Sequence, residues 1–142
     1  QKKQLLEKAA LLVRFAHGRG LLHGDLKAKN IIIGADGQCR LIDLDASRLR
    51  GTAGLAERCR DLARLNSSFL DTRLVSRTHR LRFLKIYLNE AGLIRPAWEH
   101  ITEMTDTKLK KSGRAFTAVS RGSDYPPEYL DDGPQPGAES RS

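Results

Sequence analysis

Apolar residues recur at intervals of three and four along the first part of the chain. Leu5, Leu6, Ala9, Leu12, Val13 and Ala16 form this series. The spacing predicts an amphipathic helix over residues 3–17 that buries one stripe of side chains. Gly18 and Gly20 follow at once, and glycine readily adopts the conformations that end a helix.

The next segment has short apolar runs in place of a helical period. Leu21-Leu22 predicts a short buried strand or turn, and the β-branched run Ile31–Ile33 predicts a strand. Ala35-Asp36-Gly37 is typical of a hairpin turn, so a returning strand is expected over residues 39–44. Residues 45–54 contain two glycines and alternating arginines, and we interpret them as a loop.

A helical period returns at Leu55. It predicts one helix ending near Asp71, a second over residues 74–88, and a last helix with Pro96 in its first turn, where a missing N–H costs nothing. Beyond Ser112 the sequence is rich in Gly, Ser, Pro, Asp and Glu. We therefore expect a mostly helical α+β domain over residues 1–112, with a small β-hairpin, and a disordered polar tail over residues 113–142.

Composition narrows the classes of protein. The 142 residues suit one domain, and no apolar run approaches the roughly 20 residues of a membrane helix. No signal peptide is recognisable, and two cysteines twenty residues apart predict a reducing, cytoplasmic setting. The net charge of +8 favours an anionic partner, either a phosphorylated substrate, the inner face of an acidic membrane, or nucleic acid. Nucleic acid is disfavoured because aromatic residues are not interleaved with the basic ones.

The candidate chemistry lies between His23 and Asp43. Asp25 stands five residues before Asn30, and Asp43 follows thirteen residues after it, beyond the predicted hairpin. Phosphoryl transfer needs a carboxylate beside the acceptor hydroxyl and, separately, oxygen ligands that hold Mg²⁺ against the phosphates of ATP. The spacing resembles the catalytic layout of protein-kinase-like phosphotransferases, and the resemblance implies that Asp25 takes the hydroxyl proton, Lys27 neutralises the transferring phosphoryl group, and Asn30 and Asp43 bind Mg²⁺.

These motifs resemble those of the protein-kinase-like superfamily. His23-Gly-Asp-Leu26 and Leu41-Ile-Asp-Leu-Asp45 are most similar to the lipopolysaccharide kinase family, which phosphorylates heptose or Kdo sugars of the inner core. The likeness covers about residues 3–110. It implies a kinase-like C-terminal lobe, a sugar or glycolipid acceptor, and an apolar position at Ile32 that packs under the adenine.

Other features keep alternatives open. Only about ten residues separate Asp45 from the next helix, so a sugar kinase is favoured over a Ser/Thr protein kinase, which needs a longer activation segment. The glycine-rich loop and strand lysine that hold the α- and β-phosphates are not recognisable here. We therefore expect little activity from this chain alone, and a non-catalytic kinase-like binding module is the alternative. His17, His23 and Asp61 are expected to be structural, with Asp61 anchoring the loop backbone. The sequence does not indicate an oligomeric state.

Overall fold

Four helices and two small antiparallel strand pairs form the part of the chain described by the computed structural model, residues 1–72 and 75–113. The helices are α1 (Lys2–Gly18), α2 (Leu55–Thr72), α3 (Arg77–Leu88) and α4 (Ala91–Lys111). The strands are β1 (Leu21–Leu22), β2 (Ile31–Ile33), β3 (Cys39–Leu41) and β4 (Arg48–Leu49). The predicted mostly helical α+β architecture is confirmed.

The helices pack in pairs, α1 against α3 and α2 against α4. The stripe predicted on α1 is the buried one, since Ala10 and Val13 are almost fully enclosed. Trp98 from α4 and Leu65 from α2 meet in the same core. Burying each large apolar side chain contributes about 1.5–3 kcal/mol, so this core holds the four helices together.

A buried polar junction joins the last three helices. The guanidinium of Arg80 on α3 donates a hydrogen bond of 2.9 Å to Asn66 Oδ1 on α2 and lies 5.5 Å from the centre of the Trp98 ring on α4. Asn66 Nδ2 in turn donates to Thr105 Oγ1 at 3.1 Å. Burial lowers the pKa of Arg80 to about 10, with a further contribution from Arg77. Arg80 still carries its charge at neutral pH.

The strand predicted over residues 39–44 is too long. Strand β3 pairs with β2 from Cys39 to Leu41, with Ile31 opposite Leu41. Ile42 adds one backbone hydrogen bond to Asn30, and a 3₁₀ turn then covers Leu44–Ala46. The strand ends because Asp43 takes a left-handed conformation, with φ of 58° and ψ of 61°, which a strand cannot accommodate.

The loop predicted over residues 45–54 contains a strand. Arg48 and Leu49 form β4, which pairs antiparallel with β1 so that Leu21 faces Leu49. Arg50 N–H also donates to Gly20 O at 2.7 Å. A two-residue pairing with a distant segment leaves no periodic signal in the sequence, and this explains why the pattern missed it.

The predicted place of Pro96 is also wrong. Helix α4 begins at Ala91, so Pro96 is its sixth residue and lies beyond the first turn. The preceding helix α3 begins at Arg77, where Ser76 Oγ accepts a hydrogen bond from His79 N–H, and it ends at Asn89. Position 74, the predicted start of that helix, and the predicted tail beyond residue 113 lie outside the described residues.

None of the described helices combines the length and the apolar character needed to cross a bilayer.

Candidate active site

The loop after β1 is held by one carboxylate on α2. Asp61 Oδ2 accepts a hydrogen bond of 2.7 Å from His23 N–H, and Oδ1 accepts one of 3.0 Å from Gly24 N–H. The side chain of Asp61 is nearly inaccessible to solvent. The structure therefore assigns Asp61 the anchoring role expected from the sequence.

A second buried pair fixes the Asp61 carboxylate. His17 Nε2 lies 3.1 Å from Asp61 Oδ2, and His17 Nδ1 lies 2.6 Å from the Tyr87 hydroxyl. Burial raises the pKa of Asp61, but the hydrogen bonds from His17, His23 and Gly24 outweigh it and lower the pKa below its ordinary value. Burial raises the pKa of Tyr87 to about 12, so its hydroxyl stays protonated and can donate to His17.

The ring of His23 links the two acidic segments. Its Nε2 lies 2.9 Å from the carbonyl oxygen of Ile42, which can only accept, so Nε2 carries the proton. Its Nδ1 is then the acceptor for Asp25 N–H at 3.2 Å. One neutral imidazole thus holds the backbone of Asp25 and the residue before Asp43 at a fixed separation. This agrees with the structural role expected for His23.

Gly24 allows the loop to approach the segment after β3. Its φ is +80°, and a Cβ built at this position would lie 2.2 Å from Ala46 O. Any other residue would clash with that backbone carbonyl and would also be strained at this φ. The backbone at Gly24 therefore packs directly against the backbone at Ala46, next to the candidate site residue Asp25.

Asp25 and Lys27, the predicted base and its cationic neighbour, form an ion pair. Asp25 Oδ1 lies 3.1 Å from Lys27 Nζ, and each side chain is a little over one-third exposed. Both groups are thus accessible to a substrate. An exposed pair of this kind contributes little to the stability of the fold.

The pKa of Lys108 responds to the charges of this pair and of Arg64. Burial and the positive charges of Arg64 and Lys27 lower the pKa of Lys108, while the negative charge of Asp25 partly offsets them. Lys108 lies in the last turn of α4 and Arg64 on α2. Neither residue belongs to the site predicted from the sequence. Arg64 could have been found from its position one helical turn after Asp61, whereas nothing local in the sequence connects Lys108 with Asp25.

The side-chain amide of Asn30 makes a hydrogen bond through its nitrogen and none through its oxygen within the described residues. Asn30 Nδ2 donates a hydrogen bond of 2.9 Å to Asp25 O, which ties the two predicted site residues together. The residue is buried, yet its Oδ1 makes no hydrogen bond within the described residues and is not sealed from solvent. An amide oxygen left free in this way is a suitable ligand for a hard cation such as Mg²⁺.

Asp43 follows the residue that pairs with Asn30. Because Ile42 N–H donates to Asn30 O at 2.9 Å, the two predicted metal ligands come from adjacent positions across the hairpin. Asp43 is exposed and has no ion pair or side-chain hydrogen bond in residues 1–72 and 75–113. No cluster of three or more His, Cys, Asp or Glu side chains suited to a metal occurs in the described chain. An amide oxygen and a carboxylate are oxygen donors of the kind that Mg²⁺ takes, and Mg²⁺ needs few protein ligands because it also binds phosphates and water.

Ile32 lies on the hairpin close to these groups. It is 40% exposed, and Ile42 and Leu44 beside Asp43 are exposed to a similar degree. Exposed aliphatic side chains next to a candidate phosphate site suit the face of a nucleotide base. The place of Ile32 is compatible with the predicted adenine contact.

Residues 1–87 match the sequence profile of the Lipopolysaccharide kinase (Kdo/WaaP) family. The match includes all of the site residues predicted from the sequence. The chain belongs to the lipopolysaccharide kinase family. The kinase-like lobe expected from the motifs is thereby confirmed at the level of the family.

This lipopolysaccharide kinase family chain is similar to two 3-deoxy-D-manno-octulosonic acid kinases from Xylella fastidiosa, one from strain M12 and one from strain 9a5c. Each is 43% identical over 67 residues, which is 47% of this chain and 26% of the relative. Cyclin-dependent kinase D-1 of Arabidopsis thaliana is 35% identical over 52 residues, covering 37% of this chain and 13% of that protein. The chain thus spans about a quarter of the length of the Xylella relatives.

A solved structure of the family has a similar fold. It is described as WaaP in complex with acyl carrier protein, and it matches 78% of this chain and 48% of its own with a TM-score of 0.63 and 28% identity. The family match thus relates this chain to kinases of lipopolysaccharide, and kinases as a class use a nucleotide.

Proposed function

We propose that the chain is the C-terminal catalytic lobe of a kinase that transfers the γ-phosphoryl group of ATP to a sugar hydroxyl of the lipopolysaccharide inner core, on heptose or Kdo. The observation that carries the proposal is the hydrogen bond from Asn30 Nδ2 to Asp25 O, with Asp43 at the neighbouring position across the hairpin. It joins a candidate base and two candidate metal ligands in one small region.

The proposed roles follow from the chemistry of each group. The Asp25 carboxylate accepts the proton of the acceptor hydroxyl, and Lys27 offsets the charge that develops on the phosphoryl group. Asn30 Oδ1 and Asp43 hold Mg²⁺, which neutralises charge on the nucleotide phosphates when bound. Ile32 contacts the adenine.

In this proposal, residues outside Gln1–Ser142 bind the α- and β-phosphates of ATP. The 142-residue chain alone is therefore expected to transfer phosphate much more slowly than the full-length protein. We further place the reaction on the cytoplasmic side of the membrane, where ATP and lipid-linked acceptors meet. Two observations are compatible with a reducing compartment: Cys59 is buried, and neither it nor Cys39 is in a disulfide.

The test is phosphate transfer from ATP to inner-core sugars by the full-length protein and its Asp25→Asn variant. Removing a general base costs about 10²- to 10⁴-fold in rate, and we expect a loss in this range. Asp36→Asn is the matched control, because Asp36 is an exposed aspartate of the hairpin turn and, among the described residues, its side chain pairs with Arg40 and its own turn. Equal rates for the wild type and Asp25→Asn would refute the role of Asp25.

The metal ligands need a separate measurement. Asp43→Asn keeps the size of the side chain but removes one negative charge, so the Mg²⁺ concentration that gives half-maximal transfer should rise about tenfold or more. Transfer at saturating Mg²⁺ should recover in part. An unchanged Mg²⁺ dependence would remove Asp43 from the metal site.

A further inference from the structure

A pocket lined by arginines lies beside the candidate catalytic loop. It has a volume of about 220 Å³, and its walls include Gly24, Ala46, Arg48, Glu57, Arg60 and Arg64. Arg48 comes from β4, while Arg60 and Arg64 lie one helical turn apart on α2. The pocket is therefore assembled from the strand that the sequence pattern missed and from the helix that anchors the loop.

The two carboxylates of this pocket, Glu57 and Asp61, already have hydrogen-bond and ion-pair partners. Glu57 Oε1 lies 3.6 Å from Arg50, and Glu57 Oε2 accepts a hydrogen bond of 3.2 Å from Gly54 N–H. Both oxygens of Asp61 accept hydrogen bonds from the loop backbone, and Arg64 lies 3.6 Å from Oδ1. Arg48 and Arg60 are exposed and have no ion pair with any residue in the described ranges. The pocket thus presents two uncompensated guanidinium groups.

The pocket adjoins the site of phosphate transfer. Gly24, on its wall, directly precedes Asp25 in the chain. Arg64 lines the pocket, and its charge and the charges of Lys27 and Asp25 all act on the pKa of Lys108. A molecule whose hydroxyl reaches Asp25 would extend naturally over the pocket.

We propose that Arg48, Arg60 and Arg64 form a subsite for an anionic group, a carboxylate or a phosphate ester, on the acceptor sugar. This inference rests on the proposed function, because it identifies the class of acceptor. Guanidinium groups match the planar oxygens of both anions with paired hydrogen bonds. The volume admits one charged group with part of a sugar ring, and no aromatic side chain lines the pocket for stacking a nucleobase.

Steady-state kinetics of the full-length protein test the subsite. The acceptor is the core oligosaccharide released from lipopolysaccharide, used in three forms: unmodified, with its carboxyl groups reduced to alcohols, and dephosphorylated. The variants are Arg48→Gln and Arg60→Gln, which keep polar side chains but remove the charge. Arg14→Gln is the control, because Arg14 is an exposed arginine on α1 outside the pocket.

Loss of one charge-assisted contact should raise the KM for the unmodified oligosaccharide about tenfold in Arg60→Gln and Arg48→Gln. The KM for ATP should not change. An oligosaccharide that lacks the recognised anion should have the same KM with the wild type and with both variants. If the reduced form behaves in this way, the recognised anion is a carboxylate. If the dephosphorylated form does, it is a phosphate. A KM for the acceptor within twofold of the Arg14→Gln value would overturn the proposal.

Calorimetric binding of the same oligosaccharide without nucleotide separates the two proposals. If the wild type binds the oligosaccharide but does not phosphorylate it, and Arg60→Gln weakens binding about tenfold, the kinase function fails while the subsite stands. If transfer occurs and the arginine variants bind as the wild type does, the subsite fails while the kinase function stands. No binding by the wild type overturns the subsite as well.

Discussion

At the scale of single residues, Asp43 has an unusual backbone conformation for a residue with a Cβ. Its left-handed φ of 58° recurs in the described chain outside glycine only at Asn89, the residue that ends α3. Conformations of this kind cost free energy and persist where the surrounding structure or a function requires them. At Asp43 the proposed metal site provides such a function.

Replacing Asp43 by glycine should therefore separate stability from activity. Asp43→Gly relieves the left-handed strain, and we expect the free energy of unfolding to rise by about 0.5–1 kcal/mol. Phosphate transfer should be lost because a metal ligand is gone. Urea denaturation and a transfer assay measure the two effects.

Asn89→Gly is the matched control for this pair of measurements. It relieves the same conformation at φ of 51° and lies outside the candidate site. It should stabilise the protein similarly and leave transfer unchanged. A loss of stability in Asp43→Gly would contradict the strain assigned to Asp43.

Asp61 makes the free energy of unfolding depend on pH, and the direction of this dependence follows from its lowered pKa. Its pKa is lowered by folding, so its contribution to stability is complete above its pKa in the unfolded chain, about 3.9, and is lost as the pH falls through the lower value of the folded state. Asp61→Asn should reduce the free energy of unfolding by about 2–3 kcal/mol at pH 7, because a side-chain N–H then faces a backbone donor. This difference should shrink as the pH falls below about 4.

Denaturation curves at several pH values measure this prediction. Glu99→Gln is the control, since Glu99 is an exposed carboxylate on α4 that pairs with Arg95 one helical turn away. A constant difference between the wild type and Asp61→Asn across the acid range would show that the ionised carboxylate is not what anchors the loop.

At the scale of elements, the short strand β4 and the loop containing Gly24 form one unit. The loop lies against Ala46, and Gly20 O accepts a hydrogen bond from Arg50 N–H just beyond β4. Both glycines have φ near +80°, and a Cβ on either would collide with a backbone carbonyl. The contact between these segments depends on glycine at both positions.

Gly24→Ala should reduce the free energy of unfolding by about 2 kcal/mol or more, because the methyl group has no space and φ is unfavourable. Gly51→Ala in the neighbouring loop is the control. A Cβ at Gly51 meets nothing within 4 Å, and its φ lies outside the left-handed range, so we expect a change within about 0.5 kcal/mol. Thermal denaturation compares the two variants, and equal effects would contradict the close approach at Ala46.

Much of this element structure could be predicted from the sequence, for identifiable reasons. The three- and four-residue period of α1 and the turn residues Asp36 and Gly37 are local signals, and both helix and hairpin lie where these signals indicate. The pairing of β1 with β4 and the approach of Lys108 to Asp25 depend on contacts distant in the chain, so no local pattern contains them. The prediction for Pro96 was wrong because proline is most frequent in the first turn of a helix but is also tolerated further along it.

At the scale of the whole molecule, the junction of Arg80, Asn66 and Trp98 connects three helices. Arg80→Ala should lower the free energy of unfolding by about 2–3 kcal/mol, since it leaves Asn66 Oδ1 without its donor and opens a cavity. Trp98 is the single tryptophan of the chain and is buried, so its fluorescence follows unfolding directly. Arg14→Ala, at an exposed site, is the control and should change stability by less than about 0.5 kcal/mol. Equal unfolding midpoints would show that the junction contributes nothing.

Helix α2 supplies the acceptors for backbone donors of the loop after β1, which carries the proposed catalytic residues. Asp61 receives the N–H groups of His23 and Gly24, and Ser68 Oγ receives Ala28 N–H at 2.8 Å. These loop amides can exchange hydrogen with solvent only when their bonds to α2 open. They should therefore exchange in deuterated water at rates close to those of the α2 core and far below those of an ordinary surface loop. In hydrogen-exchange terms, we expect the loop after β1 and helix α2 to behave as one cooperative unit.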